Sequence, residues 1–176
     1  EEGEYQTIAR GNYDYGYEEF SDENFLEARR FFEHVKNHSP YSMYAALAEL
    51  RLADCDYEEG QYELAINGYK EFIRFHPQNK QVAYAMYRIA DAYYEQIPTD
   101  LFFMPPTFEK DLTPTSNALQ ALQSYINRFP DGSKVSEAKV RIESCLEELA
   151  AHEFYVAMFY YNREKWTAVS NRLEKL

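Results

Sequence analysis

The chain has 176 residues, of which 30 are acidic and 18 are basic, so its formal net charge is −12. Hydrophobic residues make up 45% of the chain and aromatic residues 17%, which is too much for a disordered acidic tail. No stretch approaches the roughly 18 apolar residues of a membrane span, and no cluster of Lys and Arg offers a site for nucleic acid or anionic lipid. We therefore expect a folded chain that binds neither nucleic acid nor, unaided, a membrane.

Prolines separate segments in which apolar residues recur at three- and four-residue spacing, the pattern of amphipathic helices. Strand alternation is absent, so the sequence predicts an all-α fold. Between Ser133 and Asn162 there is no Gly or Pro, which predicts a single helix of about 30 residues, about 45 Å long. One apolar stripe runs along this segment and consists of Ala138, Ile142, Cys145, Leu149, His152, Val156 and Phe159.

The helical segments repeat, because Pro40 and Pro77 lie 37 positions apart and follow the same pattern of residues. Pro130 repeats part of the pattern after 16 extra residues. Small residues at fixed positions allow antiparallel helices to approach closely, as they do in tetratricopeptide (TPR) repeats, whose units stack on one another. Counting back eight, twelve, fifteen and twenty-four residues from the first two prolines gives Phe32 and Tyr69, Ala28 and Ala65, Phe25 and Tyr62, and Gly16 and Ala53.

The sequence thus predicts one TPR helical-hairpin solenoid of about four repeats across residues 1–176. The apolar run Leu101–Met104 lies in an insertion within the third repeat. We expect this run to pack on the helices, so that the inserted loop lies against the array. This loop either plugs one end of a groove or binds a partner. The predicted repeats are about 5–40, 41–77, 78–130 with the insertion 97–113, and 133–176, which is truncated.

No catalytic or metal-binding signature is complete in the sequence. The pair His152-Glu153 begins like the zinc motif H-E-x-x-H, but Val156 occupies the place of the second histidine. Cys55 and Cys145 lie 90 positions apart among apolar neighbours, which is typical of inert buried thiols. We therefore expect no enzymatic activity, no metal and no cofactor.

The remaining candidate for function is a binding surface. In stacked helical hairpins the first helix of each repeat lines one side of the array, and here these helices are rich in tyrosine. The rings either fill the space between repeats or form a groove for an extended peptide, where they offer contact area at little entropic cost and two aspartates can bond the peptide backbone. The predicted groove residues are Tyr13, Tyr17, Phe20, Leu50, Asp54, Tyr57, Tyr84, Tyr87, Asp91 and Tyr94.

Several blocks of residues carry a resemblance that spans nearly the whole chain. The first two repeats contain Pro40–Ala45, Phe72–Arg74 and His76-Pro77. The most specific block comprises Glu153, Tyr155–Ala157, Tyr160-Tyr161, Arg163, Trp166, Ala168-Val169 and Asn171–Glu174. These blocks resemble the BamD family, TPR lipoproteins of the outer-membrane β-barrel assembly (BAM) machinery. The chain departs from the family at Glu23 and at Glu164-Lys165, where the family usually has Gly.

The resemblance implies a non-enzymatic protein at the periplasmic face of the outer membrane, anchored by a lipidated N-terminal Cys that is missing here. It implies three kinds of partner: the POTRA domains of the barrel protein BamA, sometimes small BAM lipoproteins, and unfolded β-barrel clients. The C-terminal segments of these clients alternate aromatic residues and commonly end in Phe. Family members usually carry five repeats, so the chain is expected to be cut within the fourth or fifth.

The C-terminal part of the family contacts BamA, and we therefore expect Arg163, Trp166, Arg172 and Glu174 to form that interface. Two other interpretations stay open at this point. A different periplasmic TPR adaptor, such as a cell-division or Tol-associated coordinator, would lack the long helix and the Asn171-Arg172 block. A helical part of a lytic transglycosylase would need a catalytic Glu in a lysozyme-like domain, for which the chain has no room.

Overall fold

The computed structural model describes residues 2–98 and 111–174, and all regular structure in these two ranges is helical. The predicted all-α, helical-hairpin fold class is confirmed. The apolar run Leu101–Met104 of the predicted insertion lies outside the described residues. The eight helices in the described ranges are α1 (Glu2–Ser21), α2 (Phe25–His38), α3 (Met43–Glu58), α4 (Tyr62–Phe75), α5 (Val82–Glu95), α6 (Thr113–Arg128), α7 (Val135–Tyr161) and α8 (Trp166–Leu173).

The chain forms two compact units, Glu1–Ala92 and Tyr93–Leu176. In the first unit α1 packs on α2, α2 on α3 and α3 on α4, and α1 also contacts α3. In the second unit α6 packs on α7 and α7 on α8. Within each unit these consecutive helices pack against one another, which is the arrangement of helical hairpins. None of the helices described is both long and apolar enough to cross a membrane.

The small residues that the repeat pattern places between helices are buried at close contacts. A Cβ added at Gly16 would lie 2.9 Å from the ring of Phe32, and one added at Gly68 would lie 2.8 Å from the Cβ of Ala53. Both approaches are closer than carbon atoms normally permit, so these positions set how near the paired helices can come. The other buried members of the pattern are Ala28, Ala65, Ala118, Tyr69 and Leu122.

A turn with a left-handed residue follows the first helix of three hairpins. Glu23, Gly60 and Glu164 have φ angles of 62°, 74° and 58°. In each turn this residue donates its N–H to the carbonyl three positions earlier, at 2.9–3.1 Å, and the next N–H bonds the carbonyl five positions before it. Glycine suits this conformation because it has no Cβ. The two glutamates that depart from the family pattern therefore occupy strained backbone positions.

A second recurring turn follows α2, α4 and α6. Ser39, His76 and Phe129 each precede a proline and donate their N–H to the carbonyl four positions earlier, at 2.8–2.9 Å. Their own carbonyls then accept from the N–H three positions later, at 2.9–3.0 Å. The same bonds recur at the spacing of the three prolines, so the sequence repeat corresponds to a structural repeat.

The helix predicted between Ser133 and Asn162 is α7, which has 27 residues. At a rise of 1.5 Å per residue it is about 40 Å long. Its predicted apolar stripe faces inward, because Ala138 and Cys145 are buried and the other five members are partly buried. Large apolar side chains elsewhere on α7 remain 41–67% exposed: Val140, Leu146, Phe154, Met158 and Tyr161.

Two glycines in the first unit test how closely the helices are packed. Gly68→Ala should lower the free energy of unfolding by about 1–3 kcal/mol, because the new methyl group would overlap Ala53 and force α3 and α4 apart. Gly11→Ala should raise it by about 0.5–1 kcal/mol, because a Cβ at this helical position meets nothing within 4 Å. Urea unfolding followed by circular dichroism measures both. A Gly68→Ala protein as stable as Gly11→Ala would contradict the packing of α3 on α4.

Candidate binding surfaces

Helices α1, α3 and α5 carry the ten predicted groove residues, nine of which belong to the first unit. Tyr17 is exposed, at 46%, whereas four further rings are partly buried: Tyr13, Phe20, Tyr57 and Tyr84. The remaining four are at most 7% exposed: Leu50, Asp54, Tyr87 and Asp91. This corrects their predicted place, because each lies on the side of its helix that packs against neighbouring helices. These four side chains are buried beneath the exposed surface and do not line it.

The carboxylate of Asp54 is the centre of a buried polar network in the first unit. Its Oδ2 accepts a hydrogen bond from Nη1 of Arg51 at 2.5 Å. Its Oδ1 accepts from the hydroxyl groups of Tyr69 at 2.6 Å and Tyr84 at 2.9 Å. These partners belong to α3, α4 and α5, so one fully buried carboxylate bonds three helices together. Hydrogen bonds to charged groups contribute about 1.5–3 kcal/mol each, which is more than neutral ones.

Arg88 extends this network one repeat further along the chain. Its Nε donates to the hydroxyl of Tyr69 at 3.2 Å and lies 3.9 Å from Asp54. Its Nη2 donates to Glu58 at 2.8 Å, and its Nη1 lies 3.7 Å from Asp91. Arg88 is therefore neutralised by carboxylates of α3 and of its own helix. We refer to Asp54 with Arg51, Tyr69, Tyr84 and Arg88 as the Asp54 network.

Both arginines of the network also lie against aromatic rings. The guanidinium carbon of Arg51 is 5.3 Å from the ring centre of Tyr17 and 5.8 Å from that of Tyr84. The guanidinium carbon of Arg88 is 3.5 Å from the ring centre of Tyr57. A guanidinium group is planar, so its edge can bond carboxylates while its face stacks on a ring. The arginines thereby fix the orientation of the rings on α1, α3 and α5.

The protein environment raises the pKa values of the two tyrosines and the two arginines that surround Asp54. Burial, and then the charge of Asp54, raise the pKa of the hydroxyl groups of Tyr69 and Tyr84, so both remain hydrogen-bond donors at neutral pH. Burial disfavours the charge on Arg51 and Arg88, but their acidic and tyrosine partners outweigh it and raise the pKa of both guanidinium groups. Both guanidinium groups therefore stay charged, and both tyrosine hydroxyl groups stay protonated, throughout the physiological pH range.

An aromatic cleft lies at the turn between α1 and α2, beside the end of α3. Its volume is about 410 Å³, and its lining residues are Tyr17, Phe20, Ser21, Glu23, Phe25 and Glu58. The ring centres of Tyr13, Tyr17 and Phe20 follow one another along α1 at spacings of 6.4 Å. The ring of Phe25 meets that of Phe20 edge to face at 5.5 Å. Rings at these separations form a continuous apolar surface.

Tyr94, the tenth predicted groove residue, lies in the second unit. Its hydroxyl donates to Ser144 on α7 at 3.3 Å, and the guanidinium carbon of Arg141 lies 4.6 Å from its ring centre. These contacts hold the end of α5 against α7. Tyr94 is thus part of the packing of the second unit.

The residues predicted to contact BamA lie at the end of α7 and on α8. Trp166 is 59% exposed, and its ring meets that of Tyr161 edge to face at 5.4 Å. The guanidinium carbon of Arg163 lies 3.5 Å from the ring centre of Phe159. Exposed aromatic side chains that are held in place in this way are suited to anchor a partner.

The two remaining residues of this predicted interface have partners within the unit. Nη1 of Arg172 donates to both carboxylate oxygens of Glu153, at 3.1 and 3.2 Å, and so ties α8 to α7. Glu174 accepts a hydrogen bond from the hydroxyl of Ser170 at 3.4 Å. Arg172 therefore holds α8 in position, and any partner carboxylate would have to compete with Glu153.

The cysteines are buried free thiols, as the sequence indicated. Burial raises the pKa of the Cys55 thiol to about 12 and that of the Cys145 thiol to about 11, so neither forms an appreciable thiolate at neutral pH. Within residues 2–98 and 111–174, no three His, Cys, Asp or Glu side chains come together in a way that could hold a metal ion.

Comparison with known proteins decides the family. The family model YfiO, described as an outer membrane lipoprotein, matches residues 6–176. The chain belongs to the YfiO family. This agrees with the blocks of residues that resemble BamD and with the long α7 helix, and it distinguishes the chain from the adaptor and transglycosylase interpretations.

Several curated relatives of this YfiO chain are named outer membrane protein assembly factor BamD. The protein of Neisseria meningitidis serogroup A is 26% identical over 161 residues, which are 90% of this chain and 60% of the relative. That of Caulobacter vibrioides is 28% identical over 86% of this chain and 47% of the relative. That of Vibrio cholerae is 24% identical over 86% of this chain and 64% of the relative. The chain thus spans about half to two thirds of the length of these relatives.

Sequence analysis of this YfiO chain missed Arg51 and Arg88, although a signal for both was present. The segments Arg51–Tyr57 and Arg88–Tyr94 share the pattern Arg-x-Ala-Asp-x-x-Tyr and lie 37 positions apart, the same spacing as the first two prolines. An arginine three residues before an aspartate on a helix can pair with it. The recurrence of this pair on the tyrosine-rich helices marks the positions around which the network forms.

Proposed function

We propose that this chain is a non-catalytic receptor in outer-membrane protein assembly, which binds BamA and unfolded β-barrel clients. The observation that carries the proposal is the family match over residues 6–176, together with relatives named outer membrane protein assembly factor. The proposed location is the periplasmic face of the outer membrane, with a lipid anchor as the family description suggests. The proposed partners on the BamA side are its POTRA domains, and small BAM lipoproteins are further candidates.

The proposed client surface is the row of rings along α1 with the aromatic cleft at its end. An extended peptide presents every second side chain on the same face, about 6.6–6.8 Å apart. The ring centres of Tyr13, Tyr17 and Phe20 repeat at 6.4 Å, close to this period. A peptide that runs along α1 can therefore place alternate aromatic side chains over successive rings. This support comes from one helix, and it does not require the peptide to match the larger spacing between helices.

Such a surface suits a receptor that must release its clients. Each ring contact contributes about 0.5–1.5 kcal/mol, so a few of them give selective but weak binding. The buried aspartates and part-buried arginines beneath the rings are already bonded to one another, so they do not form additional strong bonds to the peptide. Recognition then depends on aromatic spacing and tolerates different sequences between the rings.

The client proposal predicts a specific effect of Tyr17. Fluorescence anisotropy would compare the full chain with a peptide that has aromatic residues at alternate positions and with a permuted peptide whose aromatics are adjacent. The alternating peptide should bind more tightly, and Tyr17→Ala should weaken its binding by about two- to tenfold. Tyr15→Ala is the matched control, because Tyr15 is 61% exposed on the same helix but stacks on Phe31 at 5.9 Å. Equal losses in the two variants, or none, would contradict the client surface.

The proposed BamA surface is the end of α7 with α8, where Trp166 and Tyr161 are more than half exposed. Trp166→Ala should reduce the affinity for BamA by about tenfold or more, since exposed Trp anchors dominate many interfaces. The test is recovery of BamA with the lipidated full-length protein from detergent-solubilised envelopes. Phe75→Ala is the control, because Phe75 is an aromatic residue of similar exposure, at 62%, but lies in the first unit.

The ion pair of Arg172 requires a separate design, since reversing its charge also loosens α8. Arg172→Glu should lower the recovery of BamA, and adding Glu153→Arg should restore most of it by re-forming the pair in the opposite sense. Full recovery with Trp166→Ala would rule out α8 as the main contact. A charge swap that restores nothing would indicate that Arg172 itself contacts BamA.

A further inference from the structure

The aromatic cleft combines three aromatic rings with polar and acidic lining groups. Its volume of about 410 Å³ exceeds the roughly 150 Å³ in which a buried cavity already accommodates benzene, so one aromatic side chain fits with room for its neighbours. The rings of Phe20 and Phe25 stand edge to face at 5.5 Å, and Tyr17 lies 6.4 Å from Phe20. These rings already contact one another, so a further ring can pack only on their exposed surfaces, where centre-to-centre distances of about 4.5–7 Å are favourable.

The charges around the cleft exclude a recognition site for a carboxylate. Glu23 and Glu58 are the charged residues among those that line the cleft. Arg88 is already paired with Glu58 at 2.8 Å, and Arg29 is paired with Asp56 and Glu59 near the end of α3. A peptide carboxylate in this cleft would therefore face the carboxylate of Glu23 and would have to break an existing ion pair to obtain one of these arginines.

Glu23 adds to this effect because the turn fixes its position. Its φ of 62° and the bond from its N–H to the carbonyl of Phe20, at 3.1 Å, hold the residue at the mouth of the helix hairpin. Among the described residues, no cation forms an ion pair with its carboxylate. A lysine or arginine next to the bound aromatic residue would find a favourable partner here.

We propose that the aromatic cleft takes an aromatic side chain from within an extended client segment that has a basic neighbour, and that it does not read the carboxylate of a chain end. This rests on the client binding proposed above, and it specifies which part of a client the first unit recognises. An internal strand of an unfolded barrel then binds as well as its last strand. Clients can thus be engaged before their C-terminal residue is available.

The test uses the full chain and a peptide with alternating aromatic residues and a final Phe, made with either a free C-terminal carboxylate or a C-terminal amide. Fluorescence anisotropy should show that the amide form binds about two- to fivefold more tightly, because it lacks the repelled charge. Glu23→Gln should narrow this difference, since it removes the charge and keeps the shape. Glu33→Gln, which changes an exposed glutamate on α2 that is not among the lining residues, should leave the difference intact.

Equal or tighter binding of the free-acid form would overturn the inference while leaving client binding in place. A difference between the two peptides that survives Glu23→Gln unchanged would also overturn it, because the rim charge would then have no role. If neither form binds better than the same peptide with every aromatic residue replaced by alanine, the proposed client surface fails together with the inference.

Discussion

One buried carboxylate constrains the first unit more than any other group. Asp54 has no contact with solvent, and an ionised group in such a place is tolerated only when it is paired and hydrogen-bonded. Its partners reach it from three helices, so the positions of α3, α4 and α5 must all satisfy one pair of oxygen atoms. Arg51 extends this constraint to α1. Its guanidinium group is held by Asp54, and its Nε donates a hydrogen bond to the hydroxyl of Tyr13 at 3.2 Å. The orientation of the exposed rings thus follows from an interaction beneath them.

The same interaction determines what the surface can recognise. Because Arg51 and Arg88 are neutralised by Asp54, Glu58 and Asp91, they add stacking area but little net positive charge. The surface therefore presents rings within an acidic chain of net charge −12. For the client binding proposed above, such a surface would favour aromatic and basic segments over acidic ones. The contacts of Arg51 and Arg88 with the rings also order them before binding, which lowers the entropic cost of association.

The helical spacing of apolar residues and the 37-residue repeat predict most of the fold. The proposed binding surface, in contrast, depends on how the helices pack, which neither pattern specifies. Small residues at Ala28 and Ala65, the turns after each proline and the inward stripe of α7 all follow from spacing along the chain. Leu50 and Tyr87 were assigned to the groove because they lie on first helices, but those helices are covered by neighbours on more than one side. Their burial could be known only once the angle between helices was fixed. The partner of Arg172 likewise depends on how α8 returns to α7.

The measurement that bears most directly on this account is the free energy of unfolding of Asp54→Ala, compared with Asp14→Ala. Removing Asp54 leaves Arg51 and two tyrosine hydroxyls without their buried acceptor, and a loss of about 3–5 kcal/mol is expected from breaking a buried ion pair. Asp14 is exposed and pairs with the exposed Arg10 at 3.4 Å, so its loss should change stability by about 0.5 kcal/mol or less. Urea unfolding that shows the predicted separation would support the central role of Asp54. Two variants of similar stability would contradict it.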